Sequence, residues 1–102
     1  MLIAASPAPV LAAPNRLVAE TRHDFRRAVL RHLDDVTRRQ GTHVVIDLRH
    51  TTEIDANGFG VLLLLQKRAR EKMVGTRLLH APMALRQIIE LTKLEYLFDL
   101  ER

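Results

Sequence analysis

Three carboxylates stand close together in the middle of the chain, at Asp47, Glu53 and Asp55. Paired carboxylates are groups with which enzymes perform general acid–base catalysis. Asp47 ends an apolar run typical of a strand, where its carboxylate can accept hydrogen bonds from the next loop. Asp55 and Asn57 precede a second apolar run, and both residue types are favoured helix N-caps. Because no partner or pocket is visible for them, we assign these side chains structural roles.

The sequence offers few nucleophiles, and its potential metal ligands are not clustered. The chain has no cysteine, and its one serine, Ser6, lies in a proline-rich leader. The five histidines are scattered without the spacing of a metal site: His23, His32, His43, His50 and His80. Gly58-Phe59-Gly60 is too short for a nucleotide-binding glycine motif. We therefore expect no catalytic residue, no metal site, no cofactor and no enzymatic activity. A helix start can hold a phosphate, so weak nucleotide binding stays open.

The composition fits one small domain over residues 1–102 with an aliphatic core, since 47% of the residues are apolar and none is Trp. The absence of cysteine suits a reducing cytoplasm. The apolar residues 1–14 lack the positive n-region of a secretory signal. The run over residues 61–65 is far shorter than the ~20 residues that span a bilayer. We expect a cytoplasmic protein with no membrane span.

Basic residues are concentrated over residues 22–39, where the arginines alternate with Asp24, Asp34 and Asp35. A nucleic-acid interface combines clustered Lys and Arg with aromatic side chains on which bases stack. That combination is missing here, so we interpret this segment as a solvated helix face and expect no nucleic-acid partner.

The elements that must position the central carboxylates follow from the hydrophobic pattern. It predicts strands over residues 2–5, 10–13, 44–48 and 76–80. It predicts helices over residues 20–38, from 58 to 72 or 73, and from about 81, and a last short helical segment over residues 94–98. Residues 44–46 are consecutive and β-branched, which indicates a strand buried on both faces. Gly41 and Gly75 are expected to end the first two helices. The alternation of strands and helices predicts an α/β fold with parallel connections.

The inward faces of the predicted helices follow from their spacing. Four residues of the first helix recur on one face: Phe25, Val29, Leu33 and Val36. The second helix is denser in apolar residues, and its inward set includes Phe59, Leu62, Ala69 and Met73.

The runs at residues 44–65 and 91–98 closely resemble STAS domains, and bacterial anti-sigma-factor antagonists in particular, and the resemblance covers residues 44–98 well. Ile-Asp-Ala-Asn-Gly-Phe-Gly at residues 54–60 stands where that family usually has Asp-Ser-Ser/Thr-Gly-Leu-Gly. Over residues 10–36 the resemblance is weaker, and residues 15–18 occupy the family's Gly-Glu-Leu-Asp. The resemblance implies a STAS-like α/β sandwich, with a mixed, mostly parallel sheet of about four strands and helices packed largely on one face.

The resemblance also implies a signalling role in transcription regulation. Family members bind an anti-sigma factor that is also a serine/threonine kinase, and phosphorylation of the residue after the aspartate releases it. That position is Ala56 here, and the next residue, Asn57, is not an acceptor either. We therefore expect binding without phosphoswitching at Ala56. Thr51 and Thr52 remain as substitute acceptors.

The family's functional loop maps onto Asp55, Ala56, Asn57, Gly58 and Phe59, which we predict to be the partner-binding residues. Phe59 has two interpretations, as an exposed apolar anchor for a partner or as part of the core. The alternative function keeps the fold and changes the partner, since STAS domains also serve as cytoplasmic subunits of lipid-transporting ABC systems and in stress-signalling assemblies. A homodimer stays open, because residues 1–14 could form an edge strand that pairs with another chain.

Overall fold

The computed structural model of the chain describes residues 9–101, so the strand predicted over residues 2–5 lies outside the described part. The elements, in chain order, are β1 (Val10–Ala12), β2 (Arg16–Leu17), a 3₁₀ turn (Ala19–Thr21), α1 (Arg22–Arg38), β3 (His43–Asp47), β4 (Glu53–Ile54), α2 (Ala56–Glu71), β5 (Gly75–Leu79), α3 (Met83–Leu91), a second 3₁₀ turn (Glu95–Leu97) and β6 (Asp99–Glu101).

The main sheet has four strands in the order β1-β3-β5-β6, and every neighbouring pair is parallel. Each of α1, α2 and α3 connects two neighbouring strands of this sheet, which is the repeated β-α-β arrangement that parallel pairing requires. A smaller parallel sheet pairs β2 with β4. The predicted α/β fold with a mostly parallel sheet of about four strands is confirmed.

The core lies between the helices and one face of the main sheet. The register aligns Leu11, Ile46, Leu78 and Leu100 in one row across the four strands, and all of them belong to or pack against the central apolar cluster. The four α1 residues predicted to face inward are all buried, at 3% exposure or less. The central strand β3 is buried at each of its β-branched residues, as its sequence predicts.

Each of the three α-helices ends in a Schellman motif, in which two backbone N–H groups beyond the helix return to carbonyls of its last turn. Glycine was expected to close α1 and α2, but no described glycine has a positive φ. The left-handed residue is instead Gln40 after α1 (φ 56°), Met73 after α2 (φ 60°) and Lys93 after α3 (φ 58°). Gly41 follows the turning residue and donates to the Val36 carbonyl at 2.9 Å.

Two further differences separate the structure from the sequence prediction. Met73 was assigned to the inner face of the second helix, but it is 92% exposed, because α2 ends at Glu71 and the chain has already turned out of the helix. The strands β2, β4 and β6 were not predicted, since segments of two or three residues are too short to show an alternating pattern. No helix within residues 9–101 is long and apolar enough to cross a lipid bilayer.

Candidate functional site

The corner between β4 and α2 is held by the side chain of Asp55, which is the N-cap of α2. Its Oδ1 atom accepts hydrogen bonds from the backbone N–H groups of Asn57 at 2.8 Å and Gly58 at 3.1 Å. Its Oδ2 atom accepts a third from the N–H of Ala19 at 3.2 Å. One carboxylate thus caps α2 and ties the helix to the turn that precedes α1, and the capping role predicted for Asp55 or Asn57 falls to Asp55.

The same hydrogen bonds favour the ionised form of Asp55. The N–H group of Gly58 contributes most to lowering the pKa of this carboxyl group, and those of Ala19 and Asn57 lower it further. The unpaired N–H groups and the dipole at the start of α2 act in the same direction. Asp55 is therefore a fixed structural anion that has no proton to give at neutral pH.

The other predicted loop residues divide into buried and exposed ones. Gly58 and Phe59 are buried, and Phe59, at 7% exposure, belongs to the central apolar cluster. Of the two interpretations of Phe59, the exposed anchor is therefore wrong and core packing is correct. Ala56 and Asn57 are exposed, and so is Gly60 one turn further on. The accessible surface of the corner consists of Ala56, Asn57 and Gly60, which Asp55 and Phe59 support from below.

The segment that occupies the family's early motif lies directly against this corner. Strand β2 pairs with β4, so that Arg16 lies beside Glu53 and Leu17 beside Ile54. The backbone N–H of Asp55 donates to the carbonyl of Leu17 at 3.0 Å. The small sheet thus brings residues 16–17, from the part of the chain where the resemblance is weaker, against the corner.

The two threonines that could substitute as phosphoacceptors differ in access. Thr51 is 5% exposed, and its hydroxyl donates to the carbonyl of Pro14 at 2.8 Å. Thr52 is exposed, and its hydroxyl lies 3.3 Å from the carbonyl of Asn15. A kinase would therefore reach Thr52 more readily than Thr51, whose hydroxyl already has a partner inside the fold.

The central carboxylates do not converge on a shared pocket. Asp47 accepts a hydrogen bond from the backbone N–H of Arg49 at 2.9 Å, which is the strand-end role that its position predicts. Glu53 forms an ion pair with Arg16 at 3.4 Å. Within residues 9–101 no group of three or more His, Asp or Glu side chains is arranged to hold a metal ion.

A groove that the sequence did not predict adjoins the corner, between the first turns of α1 and α2. Its α1 side is lined by Arg22, His23 and Arg26. Its α2 side is lined by Asn57, Gly60, Val61 and Leu64. We call this feature, of about 330 Å³, the basic groove. The Nη1 atom of Arg22 donates to Oδ1 of Asn57 at 3.0 Å, which joins the groove to the corner.

Comparison with known proteins places this architecture in a family. A family model described as Mlab, STAS domain matches residues 3–99 of the sequence. No curated protein sequence matches significantly. A candidate anti-sigma factor antagonist from Thermotoga maritima, known from a crystal structure, superposes with a TM-score of 0.70 and 19% sequence identity over 89% of this chain and 77% of that chain. The unphosphorylated anti-sigma factor antagonist SpoIIAA superposes with a TM-score of 0.67 and 13% identity over 91% of this chain and 77% of that chain. At these identities the likeness shows a common fold.

Proposed function

The chain belongs to the STAS domain family, and we propose that it is a regulatory protein-binding module that acts like an anti-sigma-factor antagonist. The observation that carries this proposal is the exposed corner at the start of α2, where Ala56 and Asn57 face solvent above a helix start fixed by Asp55. A small, rigid, uncharged surface is suited to docking against another protein. The proposal includes no enzymatic activity, since the carboxylates nearest the corner are engaged in holding the fold.

The proposal further states that the module does not switch by phosphorylation at this corner. Ala56 is the first residue of α2 and follows the capping aspartate, in the position of the family's acceptor. A phosphate at an interface adds nearly two negative charges, which disrupts docking by repulsion and desolvation. The methyl group of Ala56 and the amide of Asn57 cannot carry a phosphate. The corner would therefore keep one binding-competent state.

The partner that fits this proposal is an anti-sigma factor with a serine/threonine kinase-like fold, bound in the cytoplasm through the surface formed by Ala56, Asn57 and Gly60. Binding would keep that factor from its sigma factor and so regulate transcription. Gly58 and Phe59 contribute by positioning this surface, because both are buried beneath it.

A second candidate is the STAS subunit of a lipid-transporting ABC system, which would dock on the transporter ATPase through the same corner. The specific observation that favours it is the description of the matching family, which names Mlab and mentions no sigma factor. Both candidates require protein binding at the start of α2, and they differ in which protein is captured.

The test is affinity capture in the native host with the full-length chain carrying a tag. Ala56→Asp places a fixed negative charge at the centre of the corner. Ala84→Asp is the matched control, since Ala84 is also exposed and lies in the first turn of α3. We expect the wild type and Ala84→Asp to capture one protein in equal yield, and Ala56→Asp to lose it.

The identity of the captured protein then decides between the candidates. An ATP-binding anti-sigma factor supports the first candidate, and a transporter ATPase supports the second. Equal capture by all three chains would refute the corner as the binding surface. Stoichiometric phosphate on Thr51 or Thr52 after incubation with a captured kinase would overturn the absence of phosphoswitching.

A further inference from the structure

Three arginines of α1 and its C-cap are neutralised within the helix. Arg27 lies 3.0 Å from the carboxylate of Asp24. Near the other end of the helix, Arg38 and Arg39 lie 3.6 Å and 3.1 Å from the carboxylate of Asp35. The partners in these pairs are one turn apart and at least partly accessible to solvent, which is the ordinary arrangement of a solvated helix face.

Arg22 and Arg26 lie in the basic groove and have no such neutralisation. Within residues 9–101, no carboxylate oxygen lies within 4.0 Å of Arg22 or Arg26, and no carboxylate lines the groove. Arg22 donates a hydrogen bond there to the neutral amide of Asn57. Two guanidinium groups and the ring of His23 thus border one concave surface without a counter-charge.

The floor of the groove is apolar and its opening depends on a glycine. Val61 is 7% exposed, and Leu64 is half-buried. Gly60 is exposed, and a Cβ atom built on it would have no neighbour within 4 Å. The missing side chain leaves space over Val61 and Leu64 in which an aliphatic side chain of another molecule can be buried.

We propose that the basic groove binds an acidic amphipathic helix of the protein partner, which places an aliphatic side chain over Val61 and Leu64 and carboxylates beside Arg22 and Arg26. This inference rests on the proposed function, because it supplies the chemistry of the partner at the same corner. Arg22 and Arg26 are one helical turn apart, so two carboxylates spaced by one turn on a partner helix match them. Charge-assisted pairs with Arg are the stronger class of polar contact.

The lining of the groove favours a protein segment over a nucleic acid. Binding of single-stranded nucleic acid relies on aromatic side chains on which bases stack, and no Phe, Tyr or Trp side chain lines this groove. An aliphatic floor beside unpaired arginines instead matches a segment that combines leucine-like side chains with Asp or Glu.

The first experiment uses two synthetic amphipathic helices as probes, identical on the apolar face and bearing either Glu or Lys on the polar face. Each is titrated into the isotopically labelled full-length chain, and backbone amide shifts are followed by NMR. We expect the Glu helix to shift the amides of Arg22, Arg26, Gly60 and Leu64, and the Lys helix to leave them unchanged. Equal shifts from both helices, shifts confined to another surface, or no shift with the Glu helix would overturn the proposal. So would tighter binding of an oligonucleotide at these amides.

The second experiment measures variants against the Glu helix and against the captured partner. Arg22→Glu with Arg26→Glu removes the charge match, and Leu64→Gln makes the apolar floor of the groove polar. Arg27→Glu with Arg31→Glu is the matched control, since it makes the same charge change one turn apart on the same helix. We expect the affinity to fall roughly tenfold or more for the two groove variants and to change less than about twofold for the control. Melting curves establish that each variant is folded.

The results separate the groove from the corner. Loss of the captured partner with Ala56→Asp but not with the groove variants would overturn the groove and leave the proposed function intact. Binding of the Glu helix in the groove, with partner capture unaffected by Ala56→Asp, would support the groove and overturn the proposed corner.

Discussion

Gly58 lies so close to Leu17 that a Cβ atom built on Gly58 would be 2.0 Å from the Leu17 carbonyl oxygen. That oxygen also accepts the backbone N–H of Asp55 at 3.0 Å, so it is held in place by the corner itself. The start of α2 therefore sits directly on the backbone of β2, and only a residue without a side chain permits this approach.

Gly58→Ala should destabilise the fold by about 3 kcal/mol, because the added methyl group meets a backbone atom that cannot move aside. Gly60→Ala is the matched control, since its Cβ would have no neighbour within 4 Å. In the helix, that change should raise the free energy of unfolding by up to about 1 kcal/mol. Urea unfolding measures both, and similar effects of the two substitutions would contradict the close approach.

Removal of the cap on α2 should weaken the fold at neutral pH. Asp55→Ala leaves the N–H groups of Ala19, Asn57 and Gly58 without their common acceptor. We expect the melting temperature to fall by roughly 4–8 °C, the shift typical of a lost N-cap in a domain of this size. Asp34→Ala, an exposed residue within α1, is the control and should change it far less.

Acid should destabilise the fold through the carboxyl group of Asp55. The folded-state pKa of Asp55 is lowered, chiefly by the N–H of Gly58. Its contribution to stability is therefore complete above the unfolded pKa of ~3.9 and is lost as the pH falls through the folded value. The melting temperature of Asp55→Asn should then fall less steeply than that of the wild type below about pH 4. If the melting temperatures of the wild type and Asp55→Asn fell equally steeply below about pH 4, this prediction would be contradicted.

How much of this structure the sequence predicts depends on the length of each pattern. α1 and β3 were predicted closely because their apolar residues repeat over several turns or form a continuous buried run. Met73 continues the spacing of α2, but the helix has already ended, and its periodicity no longer determines where the side chain points. The sequence pattern does not decide whether Phe59 is exposed or part of the core, since the start of α2 is apolar on several sides.

The corner was located from the sequence, whereas the basic groove was not. Asp55 caps the residues directly after it, so its role depends on local order alone. The groove depends on the pairing of Arg22 with Asn57, which are 35 residues apart, and on how α1 packs against α2. The sequence showed a basic segment but not which of its arginines lack a carboxylate partner.

Glycine in place of the left-handed residue after α3 should stabilise the fold. Lys93 has a φ of 58°, where a side chain is strained. Lys93→Gly should therefore raise the free energy of unfolding by about 1 kcal/mol. Lys67→Gly is the control, because in the interior of α2 the same substitution should lower it by about 1 kcal/mol. Destabilisation by both would contradict the Schellman geometry.

His32 should make the fold less stable as the pH falls below neutrality. Burial lowers its pKa, and a hydrogen bond to the backbone of Val45 and the charge of Asp35 offset part of that effect. The Nε2 atom has no hydrogen-bond partner among residues 9–101. Because the folded pKa lies below the unfolded value of ~6.5, the unfolded chain binds the proton first, and stability falls as the pH is lowered through 6.5. His32→Gln should flatten this slope between about pH 7 and 5 when the free energy of unfolding is measured with urea across that range, and an unchanged slope would contradict the role of His32.

Ala56→Asp should stabilise the fold while it removes binding, so that the capture experiment reports on the surface rather than on unfolding. The exposed Ala56 is the first residue of α2, where a negative charge interacts favourably with the helix dipole. We expect the melting temperature to rise by roughly 2–5 °C at low salt and by less in 1 M NaCl, since exposed charges are screened. The melting temperature of Ala84→Asp, in the first turn of α3, should rise similarly, and this variant should still capture the partner. A fall in melting temperature for Ala56→Asp alone would mean that loss of capture reflects a damaged corner.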